Sequence, residues 1–155
     1  MDLYSEEFIK LIQSFNKNEV QYILVGGFST NLHGYKRATG DIDFWIHDTP
    51  KNRENLINAL DDMGIGRFEE LKKLPLLAGY CEILLDSGIY IDLMDRIIGF
   101  EKTDFDKCYN AAETVIVQDT AIRFLHYNHL LHSKENSPRL KDQLDAQELK
   151  KINKK

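Results

Sequence analysis

YILVGGFSTNLHGYKRATGDIDFWIH, from Tyr22 to His47, carries two signals close together. It opens with Tyr22-Ile23-Leu24-Val25, an apolar run short and β-branched enough to predict a buried strand. Gly26-Gly27 breaks that run, and a helix is expected from Phe28 to His33. Strand, glycines and helix make a geometry suited to phosphate. Paired glycines let the backbone approach a ligand closely, and the free N–H groups at the start of the helix favour an anion. The second signal is Asp41-Ile42-Asp43-Phe44-Trp45-Ile46. Here the period-two alternation of a strand puts Asp41 and Asp43 on one face and Ile42, Phe44 and Ile46 on the other. Two carboxylates held that way can share hard divalent cations.

Taken singly, a Gly-Gly after a strand is most often a plain turn, and an Asp-x-Asp is most often a solvated strand edge. Only a short helix separates them here, so the two strands can be neighbours in one sheet with a triphosphate and its metals between them. The run Val25-Gly26-Gly27, short helix, Arg37-Ala38-Thr39-Gly40-Asp41-Ile42-Asp43 resembles the minimal nucleotidyltransferases of the polymerase-β-like superfamily, especially those related to abortive-infection and toxin–antitoxin proteins. It departs in one place. Many members have Gly-Ser where this chain has Gly26-Gly27, so a serine hydroxyl that would contact phosphate is missing, and Ser29 is offset by two residues.

Composition sets the outer bounds. At 155 residues the chain is expected to form one domain that buries a core without staples. Hydrophobic residues at 43% and charged residues at 29% exclude disordered and collagen-like classes. No apolar run is long enough to span a bilayer, and the acidic start Met1 to Glu7 lacks signal-peptide character, so a cytoplasmic protein without a membrane partner is expected. Cys81 and Cys108 have no metal-type spacing and read as reduced thiols. A net charge of −5 argues against coating nucleic acid by bulk electrostatics. The segment from Ser133 onward is locally basic, and a frayed lysine tail is expected from about residue 150.

Along the chain, Ser5 to Lys17 reads as a helix with Ser5 as its cap and Phe8, Leu11, Ile12 and Phe15 facing a core. Asp48-Thr49-Pro50 opens another, with Leu56, Ile57, Leu60 and Met63 as its stripe and Gly64 as its end. Gly64 to Gly79 carries mixed signals, with a short helix possible around Phe68 to Lys73. Tyr80 to Leu85 and Ile89 to Met94, joined by Asp86-Ser87-Gly88, predict a β-hairpin. Asp92 stands alone inside the second strand, where a charge is costly to bury unless the site uses it. A helix over Phe105 to Ala112, strands at Val115 to Val117 and Ala121 to Leu125, and a helix from Tyr127 to Asn136 follow. Pro138 opens the last helix, whose stripe is expected to be Leu140, Leu144 and Leu149. His126, His129 and His132 recur every third residue, whereas a zinc site on a helix prefers i, i+4.

Lys134 followed by Arg139-Leu140-Lys141-Asp142-Gln143-Leu144-Asp145 resembles the lysine and Arg-x-Lys-Asp-x-x-Asp that close many of the abortive-infection-related nucleotidyltransferases. The resemblance implies an α/β (α+β) fold, a mixed sheet flanked by helices, and a third carboxylate, Asp92, on a strand beside that of Asp41 and Asp43. It further implies that these three hold two magnesium ions. A nucleoside triphosphate, ATP by preference, would lie on Gly26-Gly27, with Lys134, Arg37 and Lys141 against its phosphate charge and Thr39 ordering the loop. Asp92 would accept the proton of the attacking hydroxyl. The acceptor is left open between a protein, an RNA end and a small molecule. The alternatives are a toxin–antitoxin or phage-defence component that acts by contact with a toxin partner, and an antibiotic adenylyltransferase.

Overall fold

Tyr22–Val25 (β1) and Ile42–Ile46 (β2) run antiparallel at the centre of a six-stranded mixed sheet in the computed structural model, which describes residues 5–153. The other strands are Glu82–Leu84 (β3), Tyr90–Met94 (β4), Glu113–Val117 (β5) and Thr120–Phe124 (β6), in the order β3-β4-β2-β1-β6-β5. β4 is parallel to β2 and β6 is parallel to β1, while both edge strands are antiparallel to their neighbours. The helices are Glu6–Lys17 (α1), Gly26–Leu32 (α2), Pro50–Asp62 (α3), Phe105–Ala111 (α4), Tyr127–Glu135 (α5) and Leu140–Asn153 (α6). The mixed α/β architecture expected from the sequence is the one observed.

Alternation along the central strands sorts the core into two layers. Tyr22, Leu24, Ile42, Phe44, Ile46, Ile91 and Leu93 pack with the apolar sides of α1 and α3. Ile23, Val25, Trp45 and Met94 pack on the other side with Phe105 and Cys108 of α4, Leu130 of α5 and Leu149 of α6. Both helices of the first layer start as their sequences require: the Ser5 side chain accepts from the Phe8 N–H, and the Thr49 side chain accepts from the Asn52 N–H, two residues after Pro50. Asp43 shares the parity of Trp45, and Asp92 that of Met94, so both acids belong to the α4–α5–α6 side.

Three expectations are corrected. The helix after β1 begins at Gly26 itself, so strand passes into helix without an intervening turn. β3 begins at Glu82 because the N–H groups of Tyr80 and Cys81 turn back to the Leu77 carbonyl. On α6, Leu140 is 70% exposed and Leu144 49% exposed; the buried face is Asp142, Asp145, Ala146 and Leu149. That face keeps helical spacing but buries two acids, because cations elsewhere in the fold neutralise them. α6 continues to Asn153, and Lys154, Lys155 and the first four residues lie outside the described residues. Cys81 and Cys108 are buried free thiols, and burial pushes the Cys108 thiol up to about 11. Among the described residues no helix is long and apolar enough to cross a membrane.

This orientation of α6 has a direct consequence for stability. Leu149→Ala should cost about 2–4 kcal/mol, as for a buried leucine, and Leu144→Ala should stay within about 0.5 kcal/mol of wild type. Urea denaturation of the two variants checks it.

Candidate active site

At the junction of β1 and α2 the backbone must turn within one residue, and Gly26 does so with φ +68°, in the left-handed region. A Cβ there would collide with the Asp43 carboxylate, and a Cβ on Gly27 would collide with the Thr39 hydroxyl. The glycines therefore let Asp43 and Thr39 press against the strand–helix junction. The connection that follows is tied back by Asn31, whose Oδ1 accepts from the Arg37 N–H at 3.1 Å.

β2 and β4 pair with Asp43 directly opposite Asp92, while Ile42 meets Ile91 and Phe44 meets Leu93. Asp92 is buried and accepts from the Gly79 N–H through both oxygens, at 2.9 and 3.1 Å. Asp41 is exposed, one residue before β2. Burial, then the charges of Asp92 and Asp41, push the Asp43 carboxyl up to about 7, with Lys134 and Arg139 opposing. Burial also raises Asp92; the Gly79 amide opposes this, and Glu82 and Asp41 add to it.

All three aspartates line one cavity of about 530 Å³ together with Gly26, Gly27 and Lys134. Sharing this cavity does not by itself bring them within metal-bridging reach. Among the described residues no group of three acidic, histidine or cysteine side chains is placed to hold an ion. The physical reason is that Asp92 is directed to the Gly79 amide and Asp41 lies outside the strand. The chemistry of the set still suits a hard divalent cation: oxygen donors only, two of them held above their ordinary range by burial first and by neighbouring acids second.

The cations sit opposite. Lys134, at the end of α5, is 7% exposed, with its Nζ 2.9 Å from Asp142 and 3.0 Å from Asp145. Asp145 also receives Arg37 in a two-pronged pair, Nε and Nη2 each at 2.8 Å. Burial works to raise Asp142, but the Ser137 hydroxyl, Lys134 and Arg139 hold it below its usual range. Arg37, Thr39, Lys141 and Arg139 line the same cavity as the three aspartates. Sequence reading attached neither Gly79 nor Arg139 to the site. Arg139 sat in a quoted pattern, whereas nothing in Gly64 to Gly79 signalled contact with Asp92. Two of the three histidines serve locally: His126 caps α5 through the Asn128 N–H, and His132 pairs with the Gly99 carbonyl.

Similar folds are known. A lincosamide antibiotic adenylyltransferase, LnuA, solved with lincomycin bound, superposes with a TM-score of 0.57 over 96% of this chain and 98% of its own, at 17% identity. An antigenic nucleotidyltransferase-like protein of Paracoccidioides brasiliensis superposes at 0.55 over 96% and 76%, at 15% identity. The chain has the nucleotidyltransferase fold. A provisionally assigned nucleotidyltransferase from Thermotoga maritima gives the same score, 0.55, over 94% and 90%, at 15% identity. In sequence, no family model matches. A glutamate–tRNA ligase of Chlorobium luteolum is 32% identical over 95 residues; the match covers 48% of this chain and 19% of the ligase, so the chain spans about a fifth of that relative's length.

The raised carboxyl of Asp43 makes a pH prediction within this nucleotidyltransferase fold. Below about pH 4 folded and unfolded chains both hold its proton. As pH rises toward 7 the unfolded chain releases a proton that the folded chain keeps, so this group lowers stability until about pH 7 and then levels off. Asp43→Asn should therefore raise Tm at pH 8 by a few degrees, roughly 2–4 °C per kcal/mol relieved, and leave it unchanged at pH 4. Scanning calorimetry at the two pH values checks it.

Proposed function

We propose that the chain is a metal-dependent nucleotidyltransferase that moves a nucleoside monophosphate from a nucleoside triphosphate, ATP in the first instance, to a hydroxyl group and releases pyrophosphate. The observation that carries this reading is the register of half-buried Asp43 against buried Asp92, two carboxyls raised above their ordinary range in one cavity with the Gly26-Gly27 junction and Lys134. Asp41, Asp43 and Asp92 are the residues that would hold two magnesium ions. Bound magnesium stabilises charge on the attacking and leaving oxygens of an in-line displacement at the α-phosphorus.

The chain's own groups do the rest. The first N–H groups of α2 lack intrahelical acceptors, and with no side chain at Gly26 or Gly27 a phosphate can approach them. Lys134 and Lys141 supply positive charge, and Arg37 adds to it from its pair with Asp145. Thr39 packs on Gly27 and orders the loop before the acids. Asp92 keeps free lone pairs beyond its bonds to the Gly79 amide, so it can take the proton of the attacking hydroxyl. The lincomycin-bound neighbour supports a small-molecule acceptor over a protein or RNA end. A supply of triphosphate and reduced thiols suits the cytoplasm.

Incubation with α-labelled ATP, CTP, GTP and UTP, magnesium and host lysate should label an acceptor. Asp43→Asn and Asp92→Asn should each lower transfer by about a hundredfold or more, and chelation should abolish it. Transfer that survives chelation or both substitutions overturns the reading.

A further inference from the structure

A second cavity, of about 670 Å³, also borders the aspartates. Gly26, Ala78 and the charged residues Asp43, Asp92, Lys134, Arg139 and Asp142 line both spaces, but the remaining walls differ in kind. Arg37, Thr39 and Lys141 belong only to the first cavity, and Leu77, Met94, Ile97, Ile98, Phe100 and Leu130 only to the second. We propose that this apolar cavity receives the acceptor, and that the acceptor is a small, mainly apolar molecule carrying a hydroxyl. The proposal rests on the nucleotide-transfer reading above and names its acceptor class.

The argument starts from in-line geometry. The attacking oxygen must approach the α-phosphorus opposite the departing pyrophosphate. Arg37 and Lys141 line the first cavity alone while Lys134 and Arg139 border both, so positive charge is weighted toward the first cavity; pyrophosphate leaves toward it and the nucleophile comes from the second. The volume of the second cavity is in the range of sites for drug-sized molecules. The hydroxyl oxygen forms a bond to the α-phosphorus, its proton passes to the Asp92 carboxylate, and the bond from the α-phosphorus to its bridging oxygen breaks, with the electron pair leaving on pyrophosphate.

The lining selects against the other acceptors. An RNA end calls for cationic charge and an open ring to stack on. The cations on this cavity are already paired, Lys134 and Arg139 with Asp142 at 2.9 and 2.7 Å and Arg96 with Asp95 at 2.8 Å, and the Phe100 ring is met edge-on by His129 and His132. A nucleobase would leave most of its hydrogen-bonding edge unpaired among these side chains. Leu77 and Ile98, 46% and 41% exposed, leave apolar surface in water that an apolar ligand would cover.

The test uses full-length protein, magnesium, α-labelled ATP and two probe alcohols, 2-phenylethanol and glycerol. Labelled phosphodiester should form with 2-phenylethanol at about tenfold or greater kcat/KM over glycerol. Ile98→Asp, at an exposed position where the fold tolerates charge, should lower transfer to 2-phenylethanol about tenfold while magnesium-ATP binding by calorimetry stays within twofold. Saturation-transfer NMR should show 2-phenylethanol binding to wild type without nucleotide, and weaker binding to Ile98→Asp. Equal use of the two alcohols, or loss of ATP binding in step with transfer in Ile98→Asp, overturns the proposal; the second result gives the cavity to the nucleobase. If wild type binds no magnesium-ATP, the nucleotide reading fails first, and the NMR experiment still decides whether the cavity takes an apolar ligand.

Discussion

Two carboxylates brought into register on neighbouring strands repel each other, and burial removes the water that would screen them. The pairing of Asp43 with Asp92 imposes that condition at the centre of the sheet, and much of the surrounding chain answers to it. Gly26 must lack a side chain because Asp43 fills the space one would occupy. Gly79 must present its N–H because it is the donor that both Asp92 oxygens accept from. A carboxyl raised to about 7 is a standing cost in the free chain, and such costs gather where a site binds something that removes them. A divalent cation is the simplest such ligand, since it turns repulsion between the acids into shared attraction.

The charges across the cavity meet the same condition from the other side. Lys134 is nearly inaccessible, and a buried ammonium is tolerated only when paired. Asp142 and Asp145 provide that pairing from one face of α6, and Asp145 also holds the Arg37 fork. Arg37, Lys134 and Arg139 against Asp142 and Asp145 leave one positive charge in excess. Lys134 and Arg139 are the cations that pull the Asp43 carboxyl back down. The two acids of α6 thus fix the cations in place without cancelling their field at the site.

What the sequence made legible follows from how local each signal is. The α1 and α3 caps, the 86–88 turn and the alternation that puts Asp43 on the face opposite Ile42, Phe44 and Ile46 depend on residues a few positions apart, and each is observed. On α6 leucine spacing alone favours Leu140 and Leu144 as the buried stripe, while burial of Asp145 depends on Arg37, 108 positions away. The start of α2 at Gly26 was missed because helix propensity disfavours glycine, and contact with Asp43 outweighs propensity there. The apolar cavity was invisible for a similar reason. Its walls come from Leu77, from the segment between Met94 and Phe100 and from α5, none of which points to the others in sequence.

The departure from the family pattern at Gly27 has a geometric counterpart. At the position where the resembled pattern often has serine, a side chain here would begin in the space held by the Thr39 hydroxyl. Glycine at 27 and threonine at 39 are therefore one choice: a serine at 27 would need a smaller or displaced residue at 39. The polar atom beside the junction is still a hydroxyl, and it lines the same cavity as Asp41, Asp43 and Asp92. It arrives from the loop before β2 instead of from the helix after β1, so the loop's hold on Asn31 and Asp145 through Arg37 also governs where that hydroxyl stands.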